Sequence, residues 1–408
     1  MQDKNQFDLI ISLFSNGKAQ EALDQLDPLI KDNPNNAVLF NISGACYAHI
    51  GEPIMAIKQY EQAIEIDSNY SEAYSNLGIT LQELGELENA LESFEKAFSL
   101  KPEKIENANT ISSILEEIND PNISVEYYQK IIKSSPGLYI VHFNLGIAYQ
   151  KLNFVDEAIN SYKDAINLHP KFADAYLNLG IILEDSEKSA EALVNLEKAI
   201  EIEPNNSVIW NNLGITLKSL ERIDDSIKNF EKAIEHGPDD SSIYYNLGLT
   251  LRDINRIDEA IINFEKAILL DPHNGELYLH LGEIYNSIKS HRKALVALEK
   301  AYSINPGIEF LLGSIVNTKM DLSLWDELSD NLNILTSKVT NNEKAITPFA
   351  LMALIDDPQV QSKASQIYAN FNYPHSTYES KIKPYSNHKK IRIGYFSADF
   401  HNHPTMHL

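Results

Sequence analysis

Apolar residues recur along this chain at every third or fourth place within blocks of about a dozen residues, the spacing of a one-sided helix. Two such blocks, parted by a short polar break, make a unit, and the unit returns every 34 residues. The triplet Asn-Leu-Gly stands at Asn76-Leu77-Gly78, Asn144-Leu145-Gly146, Asn178-Leu179-Gly180, Asn212-Leu213-Gly214 and Asn246-Leu247-Gly248. The last four are 34 apart, and the first is twice 34 from the second. Pro34, Pro102, Pro136, Pro170, Pro204, Pro238, Pro272 and Pro306 keep the same step, with Ser68 the one interruption. No insertion or deletion disturbs the phase from residue 3 to residue 308, which makes nine units.

Each unit opens on a large side chain (Phe40, Tyr74, Tyr176, Trp210, Tyr244, Tyr278), followed three to four residues later by Leu-Gly and then by Tyr or Leu. These offsets put the large residues on one stripe of a first helix, with glycine where a second helix approaches closely. The second helix, such as Asp258-Glu259-Ala260 through Phe264 to Ala267, places small and bulky residues at i, i+4, i+7, and proline ends the pair. The pattern predicts an all-α repeat array over 1–308, and a pair of helices that cannot bury its face alone must stack on its neighbours. The fourth unit, around Ser112, Ser124 and Ile131, is the most divergent and reads as a weaker repeat, not a boundary.

At every diagnostic position the units resemble the tetratricopeptide repeat family, which implies a superhelix with a groove lined by the first helices. Just before Leu-Gly the series runs Ile42, Asn76, Thr110, Asn144, Asn178, Asn212, Asn246, His280. Asparagine is a mediocre helix former, so its return in five units asks for a reason. An amide offers one acceptor and two donors, the complement of a peptide bond, so Asn76, Asn144, Asn178, Asn212 and Asn246 suit a ladder that holds an extended polypeptide by its backbone. The alternative is a purely structural ladder, in which each amide bonds to a neighbouring helix. The neighbouring inward positions Asn41, Ser75, Asn109, Phe143, Leu177, Asn211, Tyr245 and Leu279 hold no cation, which argues against a clamp for a terminal carboxylate.

Composition narrows the partners. The chain has 58 acidic and 34 basic residues, a net charge of −24, which repels phosphate backbones and anionic lipid heads. Neither nucleic acid nor a membrane surface is expected as a partner. No apolar run approaches the roughly 20 residues that span a bilayer, and the start of the chain does not read as a signal peptide, so a cytoplasmic location is expected. The single cysteine, Cys46, lies on an apolar helix face and is expected to be a buried structural thiol.

After Pro306 the landmarks stop. Residues 309–370 read as a helical spacer, 371–390, rich in Asn, Pro, Ser, Tyr and Lys, as a linker, and 391–408 as the start of another domain. Ile391, Ile393, Tyr395 and Phe396 suit a buried strand, and Pro404 suits the first turn of a helix. Strand, loop, helix opens a Rossmann-like sheet, whose ligands bind at the carboxyl ends of strands. In the spacer, Trp325 is expected to anchor packing.

Arg392, Ile393, Gly394, Tyr395, Phe396, Ser397, Asp399, Phe400, His403 and Pro404 resemble the opening of the catalytic region in glycosyltransferase family 41, the O-GlcNAc transferase and SPINDLY-type enzymes. The asparagine ladder resembles theirs as well, and in that family it binds the backbone of the protein to be glycosylated. The resemblance implies a two-domain GT-B catalytic unit and transfer of a sugar to Ser or Thr from UDP-GlcNAc, or from GDP-fucose in the SPINDLY branch. It implies that His403 is the active-site histidine, whether as general base or as orienting group, and that no metal is needed. The role of His401 stays open. The spacing of His401, His403 and His407 lacks the paired histidines and carboxylate of a helical zinc site. On this reading the chain is the substrate-recruiting part of such a transferase, cut short at the start of its catalytic domain and inactive alone. The alternative is a non-enzymatic tetratricopeptide scaffold for protein–protein interaction.

Overall fold

The computed structural model describes residues 2–102, 105–326 and 328–372, and among these every regular element is one of 22 helices. Two compact units divide the chain, Met1–Pro272 and His273–Leu408. In the first, α1 (Gln2–Ser15) pairs with α2 (Ala19–Asp32), α3 (Ala37–His49) with α4 (Pro53–Ile66), α5 (Ser71–Glu83) with α6 (Leu87–Leu100) and α7 (Ile105–Ile118) with α8 (Pro121–Ser134). The series continues with α9 (Tyr139–Lys151) and α10 (Val155–Leu168), α11 (Ala173–Asp185) and α12 (Ser189–Ile202), α13 (Ser207–Ser219) and α14 (Ile223–His236), then α15 (Ser241–Asp253) and α16 (Ile257–Leu270). The second unit holds a ninth hairpin, α17 (Gly275–Ser287) and α18 (His291–Ile304), then α19 (Leu311–Asp321), α20 (Leu328–Thr340), α21 (Pro348–Met352) and α22 (Pro358–Asn372). From α3 to α17 each first helix begins one full repeat length after the last, as the rhythm of the sequence requires.

Asn36, Asn206, Asp240 and Asn274 start α3, α13, α15 and α17 by accepting backbone N–H bonds that the helix leaves open. Inside seven of the nine hairpins the decisive contact joins a glycine of the first helix to a ring or leucine at a fixed place in the second. A Cβ built on Gly44, Gly78, Gly146 or Gly214 would lie 2.5–2.6 Å from the ring of Tyr60, Phe94, Tyr162 or Phe230. At Gly180 and Gly282 the facing side chains are Leu196 and Leu298, again at 2.6–2.7 Å. The opposing rings and leucines are fully buried or nearly so, as are the alanines Ala56, Ala90, Ala158, Ala192, Ala260 and Ala294 that let the helices close. Where serine replaces that alanine, its hydroxyl finds a carbonyl: Ser226 Oγ donates to Gly214 O at 2.7 Å, and Ser124 Oγ to Asp120 O at 3.0 Å.

The two helices of each hairpin meet through one left-handed residue. Gly17, Gly51, Gly85, Asn119, Asn153, Glu187, Glu221, Asn255, Lys289 and Ser323 have φ between 53° and 82°, and each stands one repeat length after the one before. Glycine takes this conformation freely, while a side chain there costs about 1–2 kcal/mol. The turn at Ser323 keeps the same step beyond residue 308, although the Gly, Ala and Pro landmarks of the sequence have ended.

In the second unit Leu312, Val316, Leu335, Val339, Ile346 and Leu351 form the core beyond the ninth hairpin. Phe310 is also left-handed, at φ 62°, and is held by its N–H bond to Lys344 O and by edge contacts to Tyr368 and Phe371. Trp325 does not anchor this core. It lies in the connection after Ser323 and is 57% exposed, because aliphatic side chains of α19, α20 and the segment around Ile346 already fill the space. The linker from 373 and the strand expected over 391–408 lie outside the described residues, as does His403.

This packing is open to two tests. In an open helix Gly→Ala gains about 1 kcal/mol, but against Phe230 the added methyl must displace a fully buried ring, and such overpacking costs about 1–3 kcal/mol. Gly214→Ala is expected to lower the thermal midpoint, and Gly248→Ala, whose Cβ would meet Phe264 at 3.1 Å, to lower it less. A Gly214→Ala protein as stable as the parent in thermal melts would remove the steric argument. Separately, Cys46 is fully buried in the α2–α3 core, and burial pushes its thiol up to about 11. Since the thiolate is the reactive form, iodoacetamide at neutral pH should label Cys46 only after denaturation, measured by mass spectrometry. Rapid labelling of the native protein would contradict the burial.

Candidate functional site

The five asparagines occupy one place on five first helices, α5, α9, α11, α13 and α15, and all are half-buried. Their amides are tied into the fold. Asn76 Nδ2 donates to Asn41 Oδ1 at 3.0 Å and Asn246 Nδ2 to Asn211 Oδ1 at 3.1 Å, each crossing to the first helix of the preceding repeat. Asn144 Nδ2 makes the corresponding bond to Ser112 Oγ at 2.9 Å. Asn178 lies beside the Tyr162 hydroxyl, and Asn212 Nδ2 donates within its own helix to Val208 O at 2.8 Å. The positions without asparagine behave differently. Ile42 packs in the core, His280 Nδ1 sits 3.1 Å from Glu283, and Thr110 lies on α7.

Behind the ladder stands a feature that the repeat pattern alone does not single out. Tyr60, Tyr128 and Tyr162 occupy the place where other repeats have Phe94, Phe230 or Phe264, and their hydroxyls reach the asparagine row. Tyr128 lies beside Ser112 and Asn144, Tyr60 beside Thr80, and Tyr162 donates to Gln150 Oε1 at 2.8 Å beside Asn178. Burial raises all three phenols, Tyr60 to about 12, so each stays a neutral hydroxyl at physiological pH. The available signal is tyrosine in place of phenylalanine at the ring position that faces the glycine.

Two open hollows lie at equivalent places of this row. One, between the second and third repeats, is lined by Tyr60, Asn76, Ile79, Thr80 and Glu83, with His49 at its edge. The other, between the fourth and fifth, is lined by Leu115, Glu116, Tyr128, Asn144, Ile147 and Lys151. Each therefore combines an asparagine amide, a buried phenol, an isoleucine and a carboxylate. Neutral hydrogen-bonding groups beside apolar walls suit a peptide, with its alternating amides and side chains. Among the described residues no group of three or more His, Cys, Asp or Glu is arranged to hold a metal ion, and no helix is long and apolar enough to cross a membrane.

Family models of the tetratricopeptide repeat match residues 55–85 and 155–187, 71–104, 173–206 and 275–308, and 205–272. They end at residue 308, before the segment that resembles a glycosyltransferase. No curated protein matches the chain. Among solved structures, the chain is similar to YrrB, described as a TPR protein with an unusual peptide-binding site, at 24% identity over 48% of this chain and 99% of that one, TM-score 0.39. It is similar to PilF of Pseudomonas aeruginosa at 18% identity over 49% and 90%, TM-score 0.45. Similarity to the Cut9–Hcn1 hetero-tetramer of APC/C is 13% over 88% and 82%, TM-score 0.48. The regular step, the Gly–ring hairpins and the matched segments lead to one conclusion: the chain carries an array of tetratricopeptide repeats.

Proposed function

We propose that the protein is an interaction scaffold whose first-helix row in Met1–Pro272 holds an extended polypeptide. The observation that carries this reading is the row of half-buried asparagine amides, four of them already fixed by one bond to the fold. A carboxamide has two N–H donors and a carbonyl acceptor, and the bonds described above use one donor apiece. The second N–H and the carbonyl oxygen suit the C=O and N–H of a peptide backbone. Apolar neighbours such as Ile79 and Ile147 then contact its side chains. Binding of this kind depends on neither His403 nor a sugar nucleotide such as UDP-GlcNAc or GDP-fucose, which belong to the resemblance at residues 391–408.

The proposal separates the two roles of the ladder. Replacing Asn178, Asn212 and Asn246 together by Ala should weaken capture of a fluorescently labelled unfolded polypeptide, such as reduced and carboxymethylated casein. At about 1 kcal/mol per bond, the dissociation constant rises by about two orders of magnitude. Anisotropy titration reads the affinity, and an unchanged value would sink the peptide-holding role. Stability should split by partner. Asn76→Ala, which breaks a bond between repeats, is expected to cost about 0.5–1.5 kcal/mol, whereas Asn212→Ala, bonded only within its own helix, leaves the thermal midpoint nearly unchanged.

A further inference from the structure

Helix α18 departs from the pattern of its counterparts. Second helices α6, α10, α12, α14 and α16 carry acids in the first turn: Glu88, then Asp156 and Glu157, Glu191, Asp224 and Asp225, and Asp258 and Glu259. Helices α4 and α8 have no acid there but open on Pro53 and Pro121, which suit a first turn for another reason. Helix α18 begins His291-Arg292-Lys293 and has neither device. The N-terminal end of a helix carries partial positive charge, so acids there stabilise and cations oppose it. A local rule broken without a return in stability points to use elsewhere.

The surroundings show what that use requires. Arg292, Lys293 and Lys300 are exposed and line one open hollow with Tyr278, Leu281, Tyr285, Val296 and Ala297. Lys293 Nζ lies 5.3 Å from the centre of the Tyr285 ring. Val296, in the middle of the cations, is 71% exposed. Two carboxylates of these helices pair elsewhere, Glu299 with Lys319 at 3.3 Å and Glu283 with His280 at 3.1 Å. Three cations thus flank an apolar surface on a chain whose net charge is −24.

We infer that the α17–α18 face of the second unit docks an acidic peptide that carries an aliphatic or aromatic side chain. Its carboxylates pair with Arg292, Lys293 and Lys300, and its apolar side chain covers Val296 and Ala297 beside the two tyrosines. The negative charge of the whole chain does not oppose this at physiological salt, where fields fade within about 8 Å and the local patch dominates. The surface differs from the asparagine row in place and in chemistry, since the row is neutral and reads backbone while this face reads charge.

The test uses the full chain and two fluorescein-labelled hexapeptides, Glu-Glu-Asp-Phe-Glu-Asp and its counterpart with lysine at every acidic position. Fluorescence anisotropy should show binding of the acidic peptide, weakening as salt rises, and none of the lysine peptide at this face. Arg292→Glu with Lys293→Glu should weaken the acidic peptide at least tenfold, and Val296→Ser several-fold. Restoring acids to the first turn should leave the thermal midpoint unchanged or raise it, so a loss of binding cannot be put down to unfolding. Failure of the acidic peptide to bind, or equal binding by the charge-reversed variant, overturns the inference. Sedimentation equilibrium decides the remaining case: a dimer of the parent that the charge reversal dissolves would make the face an interface between copies and overturn the peptide reading.

Discussion

The closure of seven of the nine hairpins onto a glycine is the constraint that the array rests on. A ring or leucine of the second helix enters the space that a Cβ would fill, and only then can the buried alanines of that helix reach the first. Because this contact is local in sequence, it sets the length of both helices and of the turn between them, and the unit length with them. The fourth repeat shows what happens when the glycine is absent. Ser112 stands there, its hydroxyl donating to Ala108 O and accepting from Asn144. A packing position has become a polar one, and it connects directly to the asparagine row. The divergence visible in the sequence is thus the place where the core and the candidate site share a residue.

Much of the fold is legible in the sequence because its landmarks have strict steric or hydrogen-bonding demands. Glycine against a ring, alanine at a close crossing and proline past a helix end admit few substitutes, so the repeat step and the helix pairs can be read directly. Past Gly85 the left-handed turn residues are legible at Asn119, Asn153 and Asn255, a type that favours this conformation, but not at Glu187, Glu221 and Lys289, which do not. Their conformation is imposed by closing the hairpin, and the strain is offset by packing elsewhere. For the same reason the turn at Ser323 is hidden, since its geometry persists where the residue landmarks do not. Sequence reasoning misplaces Trp325 because a large aromatic suggests a core, while the core of its unit is supplied by smaller aliphatic side chains that fit between α19 and α20.

The candidate site is legible only in part. The asparagines are found by their register, but their partners lie one repeat away or behind the row, and no periodicity reports whether a neighbouring amide, a serine or a phenol will be within reach. Asn41 and Asn211 serve as acceptors for the next repeat, while Phe143 and Leu177, at the same register, cannot. The row is therefore not a set of five equal groups. Asn76, Asn144 and Asn246 are joined to the preceding repeat, Asn178 rests on a phenol, and Asn212 is held only by its own helix.

This inequality bears on how an extended chain would be held. An amide already fixed by one bond has lost most of its rotamer freedom before any partner arrives, so less entropy remains to be lost on binding. The structural and the binding readings of the ladder then cease to compete: the bond to the fold is what orients the remaining donor and acceptor. The same logic assigns different duties along the row. Asn76, Asn144 and Asn246, anchored across repeats, hold fixed directions and suit the backbone register of a bound polypeptide. Asn212, free to leave Val208 O at the cost of one exposed bond, can adjust to it. On the proposed reading, a scaffold that combines fixed and adjustable amides can grip many sequences through their common backbone and leave selection among them to the side-chain hollows beside Tyr60 and Tyr128.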